Sequence, residues 1–162
     1  MAGEETPAIY FIDPFFYQEE VYMYKKVMVA IGDDEISRNA LQEATHIAGA
    51  YSAKLCIVHA MAESDTDGEG DGDRKGGAGL LERAKSTAGD ALTVETRLLE
   101  ADGEYGLNGV SEAIANAVTE WGADLLVVGT KGRRGLERLV IGSVAGQLVN
   151  TVDTSILLVR LH

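Results

Sequence analysis

The sequence predicts an α/β protein: a single open parallel sheet with helices on both faces. Three observations carry this. From Met23 onward, short apolar runs alternate with segments of helical periodicity. The runs are continuously apolar, as expected of strands buried on both faces. Glycine-bearing turns follow two of them, at Gly32 and Gly129, and open α/β sheets bind ligands beyond the carboxyl ends of their strands.

The elements follow in order. Lys26–Ile31 is the first apolar run. Gly32–Ser37 supplies a turn with capping residues, and Ala40, Leu41, Ala44, Ile47, Ala48 and Tyr51 then recur at helical spacing. Lys54–Ala60 is a second strand. The stretch 63–79, rich in Gly, Asp, Glu and Ser, reads as a flexible acidic loop, without the ligand spacing of a calcium loop. A short helix around Leu80–Leu92 and a strand over Thr93–Leu99 come next. Val110, Ile114, Ala117, Val118 and Trp121 mark a further helix, with Trp121 expected to pack it on the sheet. Asp124–Val128 is the fourth strand, Ser143–Val149 a helix and Ile156–Arg160 the fifth strand. Strand–helix alternation of this kind argues for βαβ units with right-handed crossovers.

Length and composition bound the function. A chain of 162 residues fits one domain with one core. A net charge of -12 argues against nucleic-acid binding, which needs basic surface to displace counterions. No apolar run approaches the roughly 20 residues that cross a bilayer, and Glu4 and Glu5 stand where a signal peptide would be basic. The lone Cys56 allows no internal disulfide, which fits a reducing cytoplasm; it reads as a small core hydrophobe. Residues 1–22 stand apart. Of the ten aromatic residues, seven lie within the first 24 positions, with both prolines. This segment could pack on the domain, cross to a neighbouring subunit or dock a partner; it could equally be a leader, since Met23 could start a complete domain.

The most informative stretch is Gly129-Thr-Lys-Gly132, followed after nine residues by Gly142-Ser143. Glycines let a backbone approach a ligand closely. A helix starting at Ser143 points its free N–H groups at the loop, and such ends attract phosphate. The loop carries Lys131, Arg133, Arg134 and Arg138 against one acid, Glu137. An anion site is the simplest reading, with Arg134 and Arg138 on a solvated face. No Gly-x4-Gly-Lys-Ser/Thr loop occurs, and no nucleophile elbow surrounds Ser143. His59 at a strand end reads as a structural hydrogen-bonder rather than a catalyst.

Gly129-x2-Gly132-x9-Gly142-Ser143, between Leu125–Val128 and Ser155–Val159, resembles the nucleotide-binding signature of universal stress proteins. The opening Met23–Ala30 and His59 resemble the family too, and the resemblance covers residues 23–162. It implies an adenine nucleotide alpha hydrolase-like fold: five parallel strands in the order 3-2-1-4-5. It also implies binding of ATP, ADP or AMP, with Mg²⁺ an optional companion of a triphosphate, held mostly by water and phosphate oxygens. Ala30, Ala60 and Val128 would line the adenine pocket. The N–H groups of Gly129, Gly132 and Gly142 would line phosphate and ribose; Ser143 and Val144 would grip phosphate, and Lys131 and Arg133 would add charge. Many members form homodimers through their last strand, here Ile156–Leu161, which would protect an apolar sheet edge.

One position departs from the pattern. Family members that bind nucleotides usually carry an aspartate directly after the first strand; here Gly32 stands there, followed by Asp33 and Asp34. Asp33 could reach the nucleotide if the turn is re-routed through Gly32. The resulting expectation is a cytoplasmic, nucleotide-sensing stress-response regulator with an unknown protein partner and no catalytic residues. The alternatives are a dimeric adaptor with a vestigial pocket, or a slow ATP hydrolase.

Overall fold

A computed structural model describes residues 23–62, 70–130 and 142–161. The elements are β1 (Lys26–Ala30), α1 (Glu35–Tyr51), β2 (Lys54–Ala62), α2 (Gly70–Ala88), β3 (Val94–Ala101), α3 (Leu107–Trp121), β4 (Leu125–Gly129), α4 (Ser143–Thr151) and β5 (Ser155–Val159). The sheet has five strands in the order β3-β2-β1-β4-β5, and every pairing is parallel. The expected fold class and strand order are those observed.

The continuous apolar runs arise because β1, β2 and β4 are covered on both sides. Val27 and Val29 of β1 face a core built with α1 and α2, where Leu41, Ala44 and Leu81 are buried. Met28 faces a second core with α3 and α4, beside Cys56, Ile114, Trp121 and Leu148. Alternate residues of one strand thus feed opposite layers. Burial first, and the nearby Glu95 carboxylate second, push the Cys56 thiol up to about 12, so it stays protonated and inert. Trp121 packs α3 on the sheet as expected, and its indole N–H donates to Glu95 Oε2 at 3.0 Å.

Helix ends are set by local chemistry. Asp34 caps α1, its Oδ1 accepting from the Ser37 N–H at 2.7 Å. Gly122, at φ 76°, ends α3 with its N–H donating to Val118 O, a left-handed geometry that suits glycine.

One expectation is corrected. The composition of 63–79 reads as a loop, yet the chain is helical from Gly70, and α2 ends at Ala88 rather than near Leu92. Tertiary packing overrides a poor helix propensity here. A Cβ at Gly77 would lie 2.8 Å from Leu98 Cδ1 and 2.9 Å from Met61 Sδ. The glycine that weakens the helix therefore lets it lie close on β2 and β3. Residues 63–69 lie outside the described residues, as do residues 1–22.

Candidate nucleotide site

The strand order reverses at β1, between β2 and β4. At the carboxyl ends of β1 and β4, the register pairs Ala30 with Val128. Beyond them the chains diverge: the Ile31 N–H donates to Val58 O at 2.9 Å, and the Thr130 N–H donates to Val159 O at 2.8 Å. The split opens a cavity of about 410 Å³. Its apolar wall is Ala30, Ala60 and Val128 from the strands, with Val110 and Ile114 from α3. Its polar end is Gly142, Ser143 and Val144 at the start of α4.

That helix start is open. Gly142 is the N-cap residue of α4, and among the described residues no side chain caps its first turn. The four leading N–H groups of a helix have no intrahelical partner and carry partial positive charge. The start of α4 lines the cavity, with no capping side chain among the described residues, next to a wall that suits an aromatic ring.

The other rim is the β1–α1 turn, and here the chain satisfies itself. The Gly32 N–H donates to Ser37 Oγ at 2.8 Å while Asp34 caps α1. Gly129 is needed for close approach: a Cβ there would lie 2.9 Å from Ile36 Cγ2. His59 donates from Nδ1 to Ile31 O at 2.7 Å, since a carbonyl can only accept. That bond fixes the ring at the cavity wall and agrees with the structural reading of this histidine.

Of the residues named from the sequence, Ala30, Gly32, Ala60, Val128, Gly129, Gly142, Ser143 and Val144 line this one cavity. Lys131, Gly132 and Arg133 lie outside the described residues. Asp33 does not line it. The acid that does is Asp34, and Asp33 lines cavities on the opposite side of the turn. The capping bond to Ser37 selects Asp34 for this rim. A side chain at Gly32 would also crowd it, because a Cβ there would come within 3.3 Å of Asp34 Oδ2. Among the described residues Asp34 is the only carboxylate lining the cavity, and none form a cluster of three metal-ligating side chains.

Sequence reasoning missed Ser37, Thr130 and the α3 residues Val110 and Ile114 as wall. Val110 and Ile114 were visible as an apolar helix face, but not as one that reaches past the sheet to the cavity. A larger cavity, of about 620 Å³, lies between α1 and α2 on the other face and shares Ile31, Gly32 and Ser37 with this one. The smaller is the stronger candidate, because it sits at the strand-order reversal and holds the open helix end.

This α/β sheet, with a glycine-flanked helix start at its reversal point, defines a nucleotide-type fold. The model of the universal stress protein family matches residues 23–160, and the chain belongs to that family. It is 29% identical over 154 residues to the universal stress protein YxiE of Bacillus subtilis, covering 85% of this chain and 100% of that protein. It is 28% identical over 149 residues to the universal stress protein MJ0531 of Methanocaldococcus jannaschii, covering 85% and 83%. A crystal structure of a universal stress protein in complex with cAMP matches with a TM-score of 0.66 at 26% identity, over 86% of this chain and 97% of that one. The dAMP complex of an Archaeoglobus fulgidus universal stress protein shares the fold, with a TM-score of 0.61 at 18% identity, over 85% of this chain and 98% of that one. Among the described residues no helix is long and apolar enough to cross a membrane.

Proposed function

We propose that this chain is an adenine-nucleotide-binding regulator, with the base between Ala30, Ala60 and Val128 and the phosphate at the start of α4. The observation that carries this reading is the α4 N-terminus, without a capping side chain among the described residues, lining a largely apolar cavity at the sheet's reversal point. The related protein crystallised with cAMP supports the ligand class. Ser143 adds a hydroxyl, and Lys131 and Arg133 supply positive charge in the connection that leads to it. With Asp34 as its one described carboxylate, the cavity leaves a magnesium ion mostly to phosphate oxygens and water. The ligand in turn alters the surface around the Gly129–Gly142 connection, which a partner protein reads. β5 ends the sheet, and its apolar edge suits pairing with a second copy. The cytoplasm is the compartment this reading implies.

Thermal unfolding with saturating ATP, ADP, AMP and cyclic AMP tests it. A ligand at about 100 times its Kd stabilises the native state by roughly 2.7 kcal/mol. An unmoved transition with all four counts against the reading. A second reading, a dimeric adaptor with a vestigial pocket, is favoured by one observation: Gly32 carries no acid where nucleotide binders of the family usually have one. It requires that none of the four nucleotides binds while the dimer persists.

A further inference from the structure

The cavity between α1 and α2 lies beside the proposed nucleotide cavity, with which it shares Ile31, Gly32 and Ser37. Its floor is apolar, with Leu41 and Ala84 buried and Leu80 half-buried. Its rim is basic: Arg38 and His46 from α1, Arg83 from α2, all exposed, with Asp33 the one acid. Ion pairs among the described residues include Arg74–Glu100 and Arg97–Glu95, and neither Arg38 nor Arg83 takes part in them. Positive charge gathered over an apolar floor is unusual in a chain of net charge -12.

The same chain carries a segment of complementary chemistry. Residues 1–22 hold Glu4, Glu5, Asp13, Glu19 and Glu20 and no Lys, Arg or His. Among them run the aromatic residues Phe15, Phe16 and Tyr17. Tyr24, two residues after this segment, lies on the groove's own side of the sheet. Tyr24 packs edge-on against Tyr51 at the end of α1, with ring centroids 5.5 Å apart, and belongs to the same core as Leu41, Leu80 and Ala84. Reach fits as well. At about 1.5 Å per residue, Arg38 lies roughly 20 Å along α1 from Tyr51. At about 3.3 Å per residue, the residues from Tyr22 back to Tyr17 span a similar distance.

We propose that residues 1–22 run back along α1 and seat Phe15, Phe16 and Tyr17 in the α1–α2 groove of their own chain, with Asp13, Glu19 and Glu20 facing Arg38, His46 and Arg83. Apolar burial supplies the attraction and the charges set the register. The seat shares the β1–α1 turn with the nucleotide cavity but none of its phosphate-facing groups.

Hydrogen exchange read by mass spectrometry on the full chain tests this. The amides of residues 9–22 should exchange at least about tenfold more slowly in the natural chain than in an Arg38→Glu/Arg83→Glu variant, with β1, β2 and β4 equally protected in both. A second variant, Asp13→Lys/Glu19→Lys/Glu20→Lys, alters only the segment and should lose the same protection even if the first fails to fold. A Phe16→Cys/Arg83→Cys chain should form an intramolecular disulfide, since buried Cys56 does not compete. Coil-like exchange of residues 9–22 in the natural chain, or protection unmoved by the segment variant, overturns the proposal. A disulfide that joins two chains instead assigns the groove to a neighbouring copy and also overturns it.

Discussion

Two helices begin beside the same cavity, and they treat their first turns differently. α1 is closed by its own side chains: Asp34 accepts from the Ser37 N–H, and Ser37 Oγ accepts from Gly32. α4 begins at Gly142 with no side-chain cap. With glycine at its N-cap, α4 forgoes only a few tenths of a kcal/mol that a capping Asp or Ser would supply. The contrast teaches which rim is scaffold and which is bait. The β1–α1 turn holds its shape through its own side chains, and the β4–α4 rim is the one that the proposed function assigns to a ligand.

The sharpest way to break this comparison is to close α4. Gly142→Asp places a capping carboxylate where the phosphate should sit, and the φ of -55° and ψ of 150° at Gly142 accept it. Adenine-nucleotide affinity should fall roughly 10–100-fold, about 1.4–2.8 kcal/mol, while unfolding stability rises by a few tenths of a kcal/mol. Calorimetric titration and thermal unfolding read the two effects. A variant that binds as before removes the helix start from the site.

The next largest effect tests the shared wall. Gly129→Ala puts a methyl group within van der Waals overlap of Ile36, 2.9 Å from its Cγ2. Overpacking of this kind costs about 1–3 kcal/mol, visible as a lowered urea midpoint with an unchanged m-value. An unshifted midpoint means that Ile36 yields freely and that glycine is not needed there.

Opening α1 is the mirror experiment. Asp34→Ala removes the cap and should cost about 1 kcal/mol of stability, while ADP affinity changes less than about threefold, or roughly 0.6 kcal/mol. A large affinity loss at full stability would instead make Asp34 a ligand contact.

The smallest effect lies far from the cavity and serves as a control. The Arg97 guanidinium, and then the Trp121 indole N–H, hold the Glu95 carboxylate below its ordinary value of 4.5. A lowered carboxylate contributes stability that is present above the unfolded value and lost as pH falls through the folded one. Glu95→Gln should therefore lower stability slightly near neutrality, where the ionised carboxylate contributes, and flatten the loss of stability below about pH 4.5. The group is exposed, so the change should be small.

Much of this was legible in the sequence because it depends on burial. β1, β2 and β4 are covered on both faces, so their apolar runs are unbroken and their alternation with helices marks a parallel sheet, while the strand order followed from the family resemblance. Gly142–Ser143 was legible because a glycine–serine step before an apolar helix run marks a helix start. Two features were not. The first half of α2 is glycine-rich, and what makes it helical is the close approach of Gly77 to Leu98 and Met61, a contact between residues distant in sequence. The choice between Asp33 and Asp34 was equally hidden. Both stand in the turn, and only the capping bond to Ser37 decides which one lines the cavity.

The most direct test of the proposal that the α4 start holds phosphate is a calorimetric comparison of AMP with adenosine on the natural chain. Both present the same base to Ala30, Ala60 and Val128; only AMP can reach the open N–H groups of α4. Tighter binding of AMP by about tenfold or more, some 1.4 kcal/mol, is the predicted result. Equal affinity, or no binding of AMP at millimolar concentration, would contradict it.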